Sequence, residues 1–396
     1  MRLSDLGLRH RLGLALSLVL ISTGLAFGQG TSTFNGRALD QADAVLPGVT
    51  VTVTNASTGV VRTSVTNAEG AFLIPGLEPG VYNIKADLVG FQTSVRDRVN
   101  LAVNSTITLD FKLTLANVTE AVTVTGEAPL IEVTQSKVAS SIQAKELENL
   151  PMITRNVSGM LALLPGAVQI APTHRSKENV GSVSYGGSSG TNVIPNVDGA
   201  DNRDNQFGGP LMTFTTESLE QFQLATSQFT AADGRGAGAA LTMVTKSGTN
   251  EFHGSGFLFE RDDALQAKDY FTRVADRDKV PYSRQQFGGS IGGPILRNRA
   301  FFFGALEKVR EDLSVPVPAN LFREKQLLVD AMKAGLLPVG LVNPNHPTAA
   351  PRPLKLLMYT LKTNAQLSNA HGLMFRFAAQ RDYRDAVVFS PSNDNR

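Results

Sequence analysis

The sequence predicts a mainly β protein in three parts: a small β-sandwich, then a mixed α+β unit, then the first strands of a transmembrane β-barrel. Three observations predict it. Residues 31–115 carry short strands of period two separated by turn residues. Residues 130–250 mix short helical and extended stretches with glycine-rich tracts. After Phe252 the alternating strands lengthen towards the ~9–11 residues a membrane strand requires, greasy on one face and wet on the other.

The chain of 396 residues is long enough for several domains. Its 37 basic and 35 acidic residues leave a net charge of +2, which predicts no basic stripe for nucleic acid and no acidic tail. There is no cysteine, which excludes disulfides, thiolate metal sites, Cys nucleophiles and a lipid-modified cysteine anchor.

Residues 1–28 read as a secretory signal peptide. Arg2, Arg9, His10 and Arg11 form a positive start, and LGLALSLVLI (Leu12 to Ile21) is an apolar run too short to span a bilayer. Ala26-Phe27-Gly28 then places small residues before a cut ahead of Gln29. Residues 30–115 read as the sandwich. GVTVTVTN sets Val49, Val51 and Val53 against threonines, and STITLDFKLTL sets Ile107, Leu109, Phe111, Leu113 and Leu115 against polar neighbours. Asn67-Ala68-Glu69-Gly70 and Glu78-Pro79-Gly80 supply the turns. Phe72, Tyr82 and Phe91 fall to the core on the same alternation.

Residues 116–129 read as a linker with strand propensity. Within it Glu120-Ala121-Val122-Thr123-Val124-Thr125 is suited to adding itself to another protein's sheet edge, or to forming one more strand of the sandwich. In 130–250, SSIQAKELENLP predicts a helix started by Ser140 or Ser141 and stopped at Pro151, and RNVSGMLALLPG one capped by Asn156. SVSYGGSSGTNVIPNVDGADNRDN is loop-rich and predicts no large core, and ESLEQFQLAT a short helix entering a strand. In 251–396, Leu357, Tyr359, Leu361, Ala365 and Leu367 oppose Met358, Thr360, Lys362, Asn364 and Gln366. Likewise RQQFGGSIGGPI puts Phe287, Ile291 and Ile295 opposite Gln286 and Ser290. NLFREKQLLVDAMKAGLLP is an amphipathic helix with Leu321, Leu328, Ala331 and Met332 on one face.

LPGVTVTVTNASTG and TSVTNAEGAFLIPGLEPGVYNIKADLVGF, covering Leu46 to Phe91, resemble the carboxypeptidase regulatory-like domain, a transthyretin-like sandwich grouped with carbohydrate-binding-like folds. VDGADNRDN (Val197 to Asn205), GRGAGAALTMVTKSGTNEFHGSGFLFERDDALQAKDYF (Gly234 to Phe271) and QQFGGSIGGPILRNRAFFFGALEKVR (ending at Arg310) look like the Oar-like branch of TonB-dependent outer-membrane receptors. That resemblance implies that 130–250 is a plug domain and 251–396 the start of the barrel. The plug would pass into the barrel at Lys246, Ser247, Gly248, Thr249 and Asn250, and the amphipathic helix would lie in an extracellular loop. It also implies that Glu120 to Thr125 is the TonB box. A plugged barrel needs ~22 strands of ~9–11 residues, so 251–396 is expected to be the N-terminal part of a longer receptor.

Sharper motifs do not carry catalysis. Gly186-Gly187-Ser188-Ser189-Gly190 and Gly288-Gly289-Ser290-Ile291-Gly292 match G-x-S-x-G but lack the strand-to-helix turn of a nucleophile elbow. Asp198, Asp201 and Asp204 lack calcium-loop spacing and its closing Glu. The five histidines show no zinc spacing, and Gly234-Arg235-Gly236-Ala237-Gly238 is no dinucleotide loop. The expectation is a non-enzymatic importer without cofactor or metal, its partners a TonB-type energy-coupling protein, outer-membrane lipid and an unidentified imported ligand such as a siderophore, glycan or peptide. The rival is an exported glycan-binding sandwich on a surface scaffold, which detergent-dependent extraction separates. The signal peptide is testable first: N-terminal sequencing of the exported protein should start near Gln29, and retention of Leu12 to Ile21 would overturn it.

Overall fold

The computed structural model describes residues 32–116, 122–123, 138–143, 155–161, 163–170, 182–185, 187, 192–206, 209–227, 236, 238–268, 270–274, 276, 279, 281–316, 319–337, 349–351, 353–368 and 371–384. The signal-peptide residues lie outside these, as do residues 144–151 of the first predicted helix.

Valine alternating with threonine at 49–54 gives one apolar face, and two such faces must be buried against each other. The first unit does this with β1 (Ser32–Leu39), β2 (Thr50–Asn55), β3 (Val61–Val65), β4 (Ala71–Leu77), β5 (Gly80–Asp87), β6 (Ser94–Leu101), β7 (Thr106–Thr108) and β8 (Phe111–Lys112). One sheet runs β4-β1-β7 with β8 also on β1, and the other runs β3-β2-β5-β6. Between them Phe34, Val49, Val51, Val53, Ile84 and Phe111 are fully buried. The Phe34 and Tyr82 rings meet edge to face at 5.7 Å. Leu115, expected on the buried face, is exposed because β8 ends at Lys112 and the chain has left the core. A short β9 (Val122–Thr123) then lies parallel on the open edge of β6, Val122 opposite Ser94 and Thr123 opposite Val95.

The second unit holds β10 (Val138–Gln143), α1 (Val157–Leu161), β11 (Ala167–Ile170), β12 (Ser182–Tyr185), β13 (Val193–Val197), β14 (Ala200–Asp201), β15 (Leu219–Ser227) and β16 (Ala239–Thr245). Its main sheet is ordered β10-β15-β16-β13-β14, with β13 parallel to β16, and β11 pairs β12 alongside. Two expectations fail here. Ser140 and Ser141 cap no helix, because Val138–Gln143 is extended against β15, where pairing with an existing strand outweighs weak local helix propensity. The loop-rich tract expected to build no large core supplies Val183, Tyr185, Val193 and Val197 to the core. Asn156 does cap α1, its Oδ1 accepting the Gly159 N–H at 2.8 Å. The helix expected before β15 is a single 3₁₀ turn, Thr216–Ser218.

The third unit is an antiparallel meander, β17 (His253–Asp262), β18 (Tyr282–Leu296), β19 (Ala300–Pro316), β21 (Leu354–Gln366) and β22 (Gly372–Arg384), with β20 (Ala349–Pro351) on β19. Two helices lie between its strands, α2 (Tyr270–Val274) and α3 (Ala319–Lys333). On α3, Val329 is buried and Leu328 exposed, while Ala331 and Met332 are half-buried. The sheet inverts the pattern of a water-soluble protein. Leu258, Phe287, Ile291, Leu306, Leu361 and Phe377 are exposed, whereas Gln286, Glu307, Thr360 and Lys362 are buried against the second unit. That is the arrangement of a sheet with lipid outside and a polar interior. The described strands form an open sheet, not a closed barrel.

The sandwich core generates a stability prediction. Phe34→Ala should cost about 3–5 kcal/mol, read as lost hydrogen-exchange protection at Val51 and Val53. A loss below about 1 kcal/mol would show that the two sheets are not held by this contact.

Candidate functional site

The polar inner face of the long-strand sheet meets the second unit, and there one carboxylate organises the contact. Val197-Asp198-Gly199-Ala200 is a two-residue hairpin turn between β13 and β14, Asp198 at φ 46° and Gly199 at φ 77°. Asp-Gly is favoured there because both central residues need the left-handed region. Parallel pairing sets Val197 opposite Met243 of β16, so Asp198 lands beside Thr245. Its Oδ1 accepts the Thr245 N–H at 2.9 Å, and its Oδ2 accepts the Thr245 hydroxyl at 2.6 Å.

Two cations reach the same carboxylate from the long strands. Lys362 Nζ of β21 is 3.3 Å from Oδ1, and Arg376 Nη1 of β22 is 3.1 Å from Oδ2. The Asp198 side chain is 0% exposed and that of Lys362 1% exposed. The ammonium also donates to the Thr245 carbonyl at 3.0 Å. The Arg376 guanidinium lies 5.4 Å from the centroid of the Phe214 ring. A buried charge is tolerated only when paired and hydrogen-bonded, and here every partner comes from across the interface or from the adjacent strand.

In a second contact the carboxylate comes from the long strands and its partners are neutral. Glu307 of β19, 1% exposed, accepts from the hydroxyl of Thr215 in the second unit and from Gln286 Nε2 at 2.6 Å. Glu217, one turn on, accepts from Ser255 Oγ of β17 at 2.8 Å. The Thr213 N–H donates to Gln380 Oε1 of β22 at 2.9 Å. Each long strand except the short β20 thus gives the second unit a polar partner or borders one that does.

Of the connector residues singled out in the sequence, Lys246 donates its N–H to the Ser218 carbonyl at 2.8 Å. Ser247 Oγ accepts from Asn364 Nδ2 at 3.3 Å. Gly248 passes so close to the long-strand sheet that a Cβ would lie 2.3 Å from the Phe302 carbonyl oxygen and 2.5 Å from that of Gly293, so glycine is required. The Thr249 hydroxyl donates to the Glu251 carbonyl at 3.0 Å. Asn250 leaves the connector sideways: its Nδ2 donates to the Thr58 carbonyl of the sandwich and to Asn298 Oδ1, each at 2.7 Å. Of the segment 120–125, Val122 and Thr123 form β9, while Glu120, Ala121, Val124 and Thr125 lie outside the described residues.

Asp198 was weighed in the sequence only as a calcium ligand, and its carboxylate is instead occupied by two cations. Lys362 reads as a wet-face residue in the sequence, and Glu307 and Thr215 carry no signal there. The usable signal was a charged residue on the inward face of a strand whose other face is apolar, as at Lys362. Among the described residues no group of three or more His, Asp or Glu could hold a metal ion.

Residues 33–114 match the carboxypeptidase regulatory-like domain family, and residues 244–351 match the outer membrane beta barrel domain family. The TonB-dependent transporter Oar of Myxococcus xanthus is 27% identical over 303 residues, 72% of this chain and 28% of that protein. The chain therefore spans little more than a quarter of that relative's length. Among solved structures it is similar to the siderophore receptor PirA from Acinetobacter baumannii, with a TM-score of 0.43, 17% identity, and 64% of this chain and 33% of that one covered. It is also similar to the outer membrane transporter YddB from Escherichia coli, with a TM-score of 0.41, 14% identity, and 58% and 31% covered.

The carboxylate stands against two cations, which orders the effects of substitution. Asp198→Asn leaves both cations buried without a counter-charge and should cost about 3–5 kcal/mol. Lys362→Met leaves Asp198 paired with Arg376 and should cost clearly less. Hydrogen exchange at the β13 and β16 amides measures both, and the reverse order would show that Lys362, not Asp198, anchors the contact.

Proposed function

We propose that this chain, which belongs with the Oar-like TonB-dependent outer-membrane receptors, performs the gated half of an import cycle: the second unit is a plug held in the lumen of the barrel that its long strands begin. The observation that carries this is the Asp198 contact. A plug retained by buried ion pairs and hydrogen bonds rather than by an apolar interface can leave its seat without exposing greasy surface to water. The polar face that it uncovers then becomes the wall of an aqueous path. The exposed apolar face of the same strands faces lipid, as outer-membrane residence requires.

In this reading residues 30–115 are the periplasmic sandwich, 116–129 the linker, 130–250 the plug and 251–396 the start of the barrel, with Lys246 to Asn250 the passage between the last two. Glu120 to Thr125 is the segment that an energised TonB-type partner grips. It is suited to that by its extended, β-branched character, since an added strand gains affinity from main-chain hydrogen bonds. Binding of the imported ligand is non-covalent and no residue acts catalytically. The siderophore, glycan and peptide classes are separated by uptake assays, not by residues in hand.

Proline at Val122 or Val124 tests the coupling segment, because it removes a ladder donor and fixes φ. In the full receptor it should abolish partner-dependent uptake while leaving the protein in the outer membrane at normal level. Unchanged uptake would remove the assignment of this segment.

A further inference from the structure

The sandwich has turns at two poles, and the turns at one of them hydrogen-bond to the second unit and the long strands. The turns after β2, β4 and β6 cluster at the same end, since Asn55 is opposite Tyr82 and Gly80 is opposite Leu101. All three touch the rest of the protein. At the first turn the Asn250 N–H donates to the Ser57 carbonyl at 3.1 Å and its side chain to that of Thr58. At the second, the Glu78 carboxylate accepts from Asn364 Nδ2 of β21. At the third, the Val103 N–H donates to Gln221 Oε1 of β15 at 2.9 Å, a buried contact. The other pole projects outward, with Val89 99% exposed.

The seat at the first turn is close-fitting. Asn298, in the turn between β18 and β19, donates its N–H to Asn250 Oδ1 at 2.8 Å. A Cβ on Gly59, whose φ is +67°, would come within 2.4 Å of Asn298 Oδ1. Elsewhere the interface is gapped: a cleft of about 500 Å³ remains between the sandwich pole and the sheet, bordered by Arg62, Glu78, Tyr82, Asp198, Asn364 and Gln366. Hydrogen-bonded turns around a cleft of mixed polar and apolar lining describe a contact that holds but separates without opening the sandwich's own core.

We propose that the sandwich is a releasable clamp on the plug. It grips the plug's exit at Asn250, its sheet at Gln221 and its entry through β9 on β6, so the plug cannot shift until the engaged pole lifts. The placement of β9 makes the clamp the first body loaded. A pull on 120–125 reaches β6, and β6 runs straight into the turn that carries Val103. The positive φ of Arg98 (57°), where β5 and β6 slip register, bends β6 three residues beyond Val95. This assigns the sandwich a mechanical role with no glycan, and it rests on the gated-plug reading.

The test uses the full chain in outer membranes or detergent and loosens the seat from both sides, by Asn250→Ala and by Gly59→Ala. Hydrogen exchange is followed at the plug strands β13 and β16 and at the sandwich core, 49–53 and 82–86. Each variant should speed exchange at the plug strands several-fold while the sandwich core keeps its protection. Thr58→Cys with Asn298→Cys, in a chain otherwise free of cysteine, should cross-link with a short bismaleimide and slow plug exchange below the wild-type rate. Plug exchange unchanged in both loosened variants, or a complete cross-link without effect on it, overturns the clamp. Asp198→Asn measured alongside reports the plug's own lock, so failure of the gated-plug reading is told apart from failure of the clamp.

Discussion

The buried carboxylate of Asp198 sets the terms on which the other elements meet. It lies at the tip of a hairpin of the central unit, yet its counter-charges come from two adjacent strands of another sheet. Removing it from water is costly, and only the full set of partners, Lys362, Arg376 and both polar groups of Thr245, offsets that cost. The requirement fixes position as well as energy. Lys362 and Arg376 are directly opposite one another across β21 and β22, so the carboxylate can be shared only where those strands are in the observed register. A slip by one residue between them would turn one of the two cations to the opposite face.

From this constraint follows the contrast between the three cores. The sandwich is closed by aromatic and aliphatic packing around Phe34 and Phe111, and the central unit has its own apolar cluster around Phe222 and Leu241. Between the central unit and the long strands there is instead a polar lining of Asp198, Glu307, Thr215, Gln286 and Lys362. These two units are apolar inside, whereas the boundary between the central unit and the long strands is polar. The sandwich contact with the connector belongs to the second kind, being made of asparagine side chains and backbone carbonyls around a cleft.

Gly248 marks a place where backbone approaches backbone, against the carbonyls of Phe302 and Gly293, so the connector is shaped for the sheet it touches. Gly59 is favoured twice, by its own left-handed turn and by the Asn298 side chain against it.

The sequence by itself determined the strands whose alternation is strict. Val49 to Val53, Phe287 to Ile295 and Leu357 to Leu361 lie as their period dictates, because a side chain's face on a strand is a local property. It also determined the turn at Asp198-Gly199 and the cap at Asn156, both decided within a few residues. Only the tertiary structure decided the rest. Ser140 to Gln143 is a strand because β15, distant in sequence, offers an edge to pair with, which local propensity does not register. The partners of Asp198 were illegible for the same reason: Lys362 and Arg376 are 164 and 178 residues distant, and charge at a position states a need for a counter-charge without stating where it lies.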